Sequence, residues 1–366
     1  DVNAMPTPIA SVGPNIGSYD DTTVVGGNIY YYRIGVLRSG EELISDERNL
    51  FTGTFLLFTG TNDSKVRRLD FGGTETTIGN WPFTNHSSSV DGIVIHDGTR
   101  SIYSSTDNGS GSAVKKTDVN GNELWTFGTN DSRIYKIGID QSTEHIYILD
   151  RPSSNPPKIR KIDSNGNEID SGTNWPYVGT TDNSIYALDV DSSGNVYIGS
   201  NDEIEKFDSN GNSQWAFSLS YSERVYCVAT DNINGYLYAG TTNNSVMKLN
   251  ASTGSQITSG GWPFTGSITD RVYVIAVDSN SNIYAGPGDN KLVKIDSDGN
   301  EVWSFTGYAD RSVTDIAFDF ENSVYTSSYD GTVKKLKSNG NQVNEVWSFT
   351  HESTTQFNAI AINSGY

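Results

Sequence analysis

The chain has 366 residues, with 44 Asp and Glu against 25 Lys and Arg and a formal net charge of −19. That balance argues against a nucleic-acid or anionic-membrane surface, which needs clustered cations, and no apolar run of about 18 residues is present to insert into a bilayer. A hydrophobic fraction of only 35%, with 20 Tyr and 37 Gly, suits a β-rich fold with thin cores. The single cysteine, Cys227, lies among Val225, Val228 and Ala229, so no internal disulfide framework exists and the thiol reads as buried and inert.

Residues 1–50 do not repeat. Met5 to Pro14, with three prolines, reads as an extended arm. Tyr19 to Val36 has strand character, Ser39-Gly40-Glu41 reads as a turn, and Leu43 to Glu47 as a further strand. The run Tyr30-Tyr31-Tyr32-Arg33-Ile34-Gly35-Val36, followed by Leu43-Ile44-Ser45-Asp46-Glu47, resembles the last strands of a fibronectin type III-like domain. It covers about half of such a domain. Half a sandwich cannot bury its own face. Either more chain precedes Asp1, or these strands pack on the rest of the chain or on another subunit.

From residue 51 onward one unit recurs. The seven tryptophans are Trp81, Trp125, Trp175, Trp215, Trp262, Trp303 and Trp347, each followed two residues later by Phe or Tyr. Their spacings of 44, 50, 40, 47, 41 and 44 residues mark a repeat architecture. Within Ser184 to Phe217, short β-branched and aromatic runs alternate with the turns Asp191-Ser192-Ser193-Gly194-Asn195 and Asp208-Ser209-Asn210-Gly211-Asn212. Four hairpin-linked strands of this kind make one propeller blade.

Six complete blades run from about Val90 to Phe349. Three strands precede them (Phe55 to Thr59, Val66 to Asp70 and Thr76 to Phe83), and one follows (Phe357 to Ile362). One plus three makes a seventh blade. The C-terminal strand becomes the innermost strand of a sheet begun near residue 55, which closes the ring and leaves no unpaired edge blade. The sequence therefore predicts an all-β, seven-bladed β-propeller of four-stranded blades over 51–366, preceded by a β-rich segment over 1–50.

Two residue columns belong to every blade. The third strands carry Arg68, Lys116, Lys161, Lys206, Lys248, Lys294 and Lys335, each two residues after an aliphatic side chain. A basic ring gripping an anion is one reading. The stronger one is a stem lying on apolar surface with its cation over an aromatic ring or beside a carboxylate. The tryptophans divide the same way between sugar platforms and blade-to-blade packing, and seven equivalent copies favour packing.

Motifs that carry chemistry are sparse. His86, His96, His145 and His351 are far apart, show no metal-ligand spacing, and read as solvent-exposed; His86 and His351 take equivalent places after the Trp-x-Phe strand. Asp189 to Asn195 is similar to the start of a calcium loop, but Ser200 stands where the closing Glu belongs. It reads as an ordinary turn, and neither a metal nor a cofactor is expected. Asp91, Asp189 and Asp315 break the pattern of the inner strands, Asp189 and Asp315 where other blades carry small or apolar residues such as Ala229 and Val274, and they are the candidate polar site at the channel mouth.

Gly194-Asn195-Val196-Tyr197-Ile198-Gly199-Ser200, Lys206-Phe207-Asp208 and Trp215-Ala216-Phe217 resemble the quinoprotein-type (PQQ-like, WD40-like) propeller repeat over about residues 51–362. Quinoprotein dehydrogenases of that group have eight blades, a vicinal cysteine pair and calcium ligands. Seven blades and one cysteine here argue against a redox enzyme. The fibronectin-like run resembles modules of phage tail and surface proteins. The two resemblances imply a non-enzymatic structural or binding protein of a virus particle, tail-associated or surface-displayed. Its expected partners are other virion or surface proteins through the N-terminal segment, and host glycans. A secreted or cell-surface microbial adhesin is the alternative, and a glycan-cleaving enzyme using inner-strand carboxylates is the third reading.

Overall fold

The computed structural model describes residues 29–32, 35–38, 41–44, 48–51, 56–70, 72–107, 111–129, 132–152, 156–180, 184–220, 222–309, 312–339, 342–351 and 355–363. The chain divides into two units, Asp1–Phe55 with Gly365–Tyr366, and Leu56–Ser364. In the first, Ile29–Tyr32 pairs antiparallel with Arg48–Phe51, and Gly35–Arg38 with Glu41–Ile44. The proline arm, the Tyr19–Asn28 stretch and the turn residues Ser39 and Gly40 lie outside the described residues.

The second unit is a seven-bladed propeller. Blades are numbered here by their inner strands. These are Val90–His96 in blade 1, Ser132–Asp140 in blade 2, Ala187–Val190 in blade 3 and Val225–Asp231 in blade 4. Val272–Val277, Val313–Phe318 and Phe357–Asn363 follow in blades 5, 6 and 7. Blades 1 to 6 are four-stranded meanders of consecutive strands. Blade 7 is the closure: Phe357–Asn363 pairs antiparallel with Leu56–Thr61, which pairs with Val66–Leu69. Its outer edge is completed by bridges from Leu69 to Glu75 and from Val66 to Phe83.

Second strands lie between the inner and third strands of their own sheet and are covered on both faces by neighbouring blades. They are therefore largely buried, as the mostly polar Ser101–Thr106 in blade 1 and as an apolar run in blade 2, where Ile146, Tyr147, Ile148 and Leu149 are all fully buried. The clusters that hold the ring together cross blade boundaries. Tyr147, Leu149 and Trp175 of blade 2 pack with Val196, Ile198 and Phe207 of blade 3.

The outer edges come in two forms, a difference from the uniform fourth strand expected. In blades 1, 3, 5 and 6 the tryptophan sits in a regular strand opposite the basic residue, as in Trp215↔Lys206. In blades 2, 4 and 7 it precedes proline, through cis bonds at Trp175-Pro176, Trp262-Pro263 and Trp81-Pro82. Proline has no N–H for a ladder. The chain accordingly leaves the edge before the tryptophan and rejoins it afterwards, at Tyr177–Val178 in blade 2 and at the Phe264 and Phe83 bridges in blades 4 and 7. The excursion reaches the next blade, where the N–H groups of Asn80, Asn174 and Gly261 donate to the carbonyls of Asn120, Asn210 and Asp298 at 2.7, 2.7 and 2.8 Å.

Over Trp125, Trp215 and Trp347, which stay in the strand, the next blade's turn glycine closes. A Cβ on Gly166, whose φ is +88°, would stand 2.9 Å from the Trp125 ring, and one on Gly254 would stand 2.7 Å from Trp215. Glycine meets both needs there, positive φ and close approach.

Candidate functional site

The most prominent repeated residues form the frame of each blade. Tyr103, Tyr147, Tyr197, Tyr238, Tyr284 and Tyr325 on the second strands are fully buried. Lys116, Lys161, Lys206, Lys248, Lys294 and Lys335 lie over these rings at 5.0–5.7 Å. Lys116, Lys161, Lys206 and Lys248 also donate to carbonyls of the following blade, at Ser164, Ser209, Ala251 and Ser297. The indole N–H groups of Trp125, Trp175, Trp215 and Trp262 reach the same four carbonyls, and that of Trp81 reaches Val119. Lys335 pairs with Asp319 at 3.2 Å, and Lys294 stands 4.0 Å from Asp278. Arg68 lies opposite Phe58, and burial lowers its pKa. Each of the six lysines is thus tied to an aromatic face and, through a backbone oxygen or a carboxylate, to its surroundings.

Two histidines correct the expectation of exposure. His86 is buried against Phe83 and hydrogen-bonds Ser104 at 2.8 Å, and burial pushes its pKa down to about 4. His96 is buried with Thr99 and the Gln141 carbonyl as partners. Both are held by local polar groups, so their spacing along the chain carried no sign of burial. The calcium-like loop is a turn: Asp191 accepts the N–H groups of Ser193 and Asn195, the Asn195 amide and the Tyr197 hydroxyl. Among the described residues no group of three or more His, Cys, Asp or Glu is arranged to hold a metal.

The three inner-strand aspartates do not converge. Asp189 accepts the Thr230 N–H and hydroxyl of blade 4 at 2.8 and 2.9 Å, and Asp315 accepts the Ile360 N–H of blade 7 at 3.0 Å. Inner strands have one edge without a strand partner, and these carboxylates satisfy donors on it. Burial pushes both pKa values up to about 6; for Asp315 the rise is opposed by the Ile360 N–H and by Lys136. Asp91 is also raised by burial, and accepts from Ser89, Asn358 and the Asp107 N–H.

A pH experiment isolates Asp315. Its folded pKa of about 6 exceeds the ordinary 3.8, so its favourable share of stability is present below pH 4 and is lost as pH rises from about 4 to 6. Asp315→Asn mimics the neutral acid. The variant should be more stable than the parent at pH 7 by up to about 3 kcal/mol and nearly equal to it at pH 4, read from urea midpoints at both. A stability difference independent of pH would show that Asp315 is not titrating in this range.

Asp91 belongs to a set that the sequence pattern hid. Each inner strand carries one extra residue near its start. Val90 and Gly92 are paired to consecutive residues, Thr106 and Ser105, with Asp91 between them. The same shift leaves Tyr135, Tyr226, Tyr273, Thr314 and Asn358 extra in blades 2, 4, 5, 6 and 7. In blade 3 both Tyr186, through its N–H, and Ala187 face Gly199. A bulge re-aims the side chain that it releases. Here all seven line one cavity of about 700 Å³ at one end of the channel.

The resulting collar has two arcs. Blades 2 to 5 contribute four tyrosines, linked by ring contacts of 5.3 Å (Tyr186–Tyr226) and 5.4 Å (Tyr226–Tyr273). The Arg151 guanidinium lies over Tyr135 at 4.5 Å and over Tyr186 at 5.3 Å. Blades 6, 7 and 1 contribute Thr314, Asn358 and Asp91, with Asp107 beside them. Asn358 Oδ1 is a buried acceptor with no hydrogen-bond donor among the described residues, and Asp107 Oδ1 is ion-paired with Arg133 at 3.6 Å. A second cavity of about 390 Å³ is lined by Ile137, Val228, Ile275, Ile316 and Asp189. Asp91 and Asp189 therefore open onto different spaces. The signal for the collar was present in Ile134-Tyr135-Lys136-Ile137, Ile185-Tyr186-Ala187-Leu188, Val225-Tyr226-Cys227-Val228 and Val272-Tyr273-Val274-Ile275, four copies of one aliphatic-Tyr-x-aliphatic pattern.

No family model matches the chain, and no curated protein sequence matches it. Among solved structures it is similar to the WD40 repeats of RRP9, with a TM-score of 0.64 and 12% identity over 77% of this chain and 86% of that one. The structure of U3-55K gives 0.64 and 13% over 77% and 87%. At such identities the likeness is one of fold: the chain is an all-β, seven-bladed propeller with WD40-repeat structural neighbours.

Proposed function

We propose that this protein is a non-enzymatic binding protein that engages its ligand at the tyrosine-lined mouth of the propeller channel. The observation that carries this reading is the delivery of seven bulge side chains, one from every blade, to a single 700 Å³ cavity. Such a site sits on a rigid ring and costs little ordering on binding. The inner-strand carboxylates that a glycan-cleaving enzyme would use are separated, and Asp189 and Asp315 are engaged by backbone N–H groups.

The setting we propose is a virus particle, with the propeller tail-associated or displayed at the surface for assembly contacts or host attachment. Support comes from the quinoprotein-type repeat without its vicinal cysteines, the fibronectin-like run at Tyr30 to Val36, the net charge of −19 and the Asn-, Ser- and Gly-rich turns. A secreted or cell-surface adhesin is the second reading, which the same collar would serve. Immunogold labelling of purified particles and fractionated cultures tests the setting. Label on the particle is expected; label confined to the cell interior would overturn it.

A further inference from the structure

Resting on that reading of the channel mouth as a binding site, we infer that the collar takes a neutral saccharide, seated with a ring face on Tyr226 and Tyr273 and its hydroxyls toward Asp91, Asp107 and Asn358. A pyranose is two-sided: its axial C–H groups form an apolar face, and its hydroxyls donate and accept around the edge. The mouth is two-sided in the same sense, with aromatic faces on one arc and hydrogen-bonding groups on the other. Tyr273 is 39% exposed and Tyr329 46%, so ring surface is open to a ligand. Asn358 Oδ1, buried with no hydrogen-bond donor among the described residues, calls for one, and a ligand hydroxyl supplies it.

Charge narrows the class further. Asp91 and Asp107 are offset by Lys136 and Arg151 in the same cavity, so the mouth itself favours neither sign. A cation would compete with Arg151, which already occupies the faces of Tyr135 and Tyr186. An anion would approach a protein of net charge −19. The cavity volume of about 700 Å³ falls in the usual range for small-molecule sites.

The test uses the whole purified chain. Saturation-transfer NMR and calorimetry are run with maltotriose, lactose, mannobiose and di-N-acetylchitobiose, beside 3′-sialyllactose and tetramethylammonium. The expected result is binding of at least one neutral sugar, weakened roughly tenfold or more by Tyr226→Ala and also by Asn358→Ala, in variants whose thermal unfolding matches the parent. Capture of sialyllactose or tetramethylammonium alone, lost in Tyr226→Ala, would overturn the neutral-sugar class while upholding the mouth as a binding site. Release of reducing ends from a bound sugar would uphold the ligand class and overturn the non-enzymatic reading. Sugar binding indifferent to Tyr226→Ala, or no binding by any probe, would overturn the collar as the site.

Discussion

Trp175→Ala is expected to destabilise the propeller by about 3–5 kcal/mol. Trp175 is 2% exposed and sits in the seam between blades 2 and 3, with its ring centroid 5.3 Å from Tyr147 and 6.1 Å from Phe207. Removing the ring leaves a void that two rigid sheets cannot close by a local shift, so both the lost burial and the cavity count. Trp175→Phe separates the polar part. It keeps most of the apolar contact but loses the indole donor to the Ser209 carbonyl, which still receives Lys161 at 2.8 Å. A cost of about 1 kcal/mol is expected for it. Urea unfolding with matched m-values reads both. A loss below about 1 kcal/mol for Trp175→Ala would contradict a seam position.

Removing residues 357–363 is expected to have the larger effect, on the order of 10 kcal/mol or more, enough to cancel the stability of a typical domain. The strand buries Phe357, Ala359 and Ile360 and covers the edge of Leu56–Thr61, where Leu57 and Phe58 are wholly inaccessible to solvent. Without it the ring has a gap, and an apolar strand edge faces water. Circular dichroism and size-exclusion chromatography should show loss of a cooperative melt and self-association. Asn358→Ala, which leaves the pairing intact, should melt like the parent. A truncated chain that stays monomeric and melts at the parental temperature would mean that blade 7 does not close the ring.

The ring was legible because its determinants are local and repeated. Turn glycines, the tryptophan period and the stranded strand at Phe357–Ile362 were enough to place a seam between chain ends almost three hundred residues apart. The outer edges of blades 2, 4 and 7 were misread because Trp81, Trp175 and Trp262 fit the Trp-x-aromatic pattern, although the proline at x withdraws a donor from the ladder. The collar escaped for a different reason. A bulge adds one residue and breaks the two-residue alternation, so Tyr135, Tyr186, Tyr226 and Tyr273 counted as ordinary strand residues. A carboxylate such as Asp91 stands out among apolar neighbours; a tyrosine does not. Burial of His86 and His96 depends on packing contacts that no spacing along the chain reports.

The register of the closing blade sets how the ring bears load. Leu56 lies directly opposite Asn363, so the two ends of the propeller leave from the same end of one antiparallel pair. Traction applied between those ends would peel the pair apart, breaking its hydrogen bonds in succession rather than all at once. Such a clasp yields to far smaller forces than strands pulled lengthwise past each other. A propeller held by one terminus alone puts no tension across that clasp, so single-ended tethering leaves it unloaded.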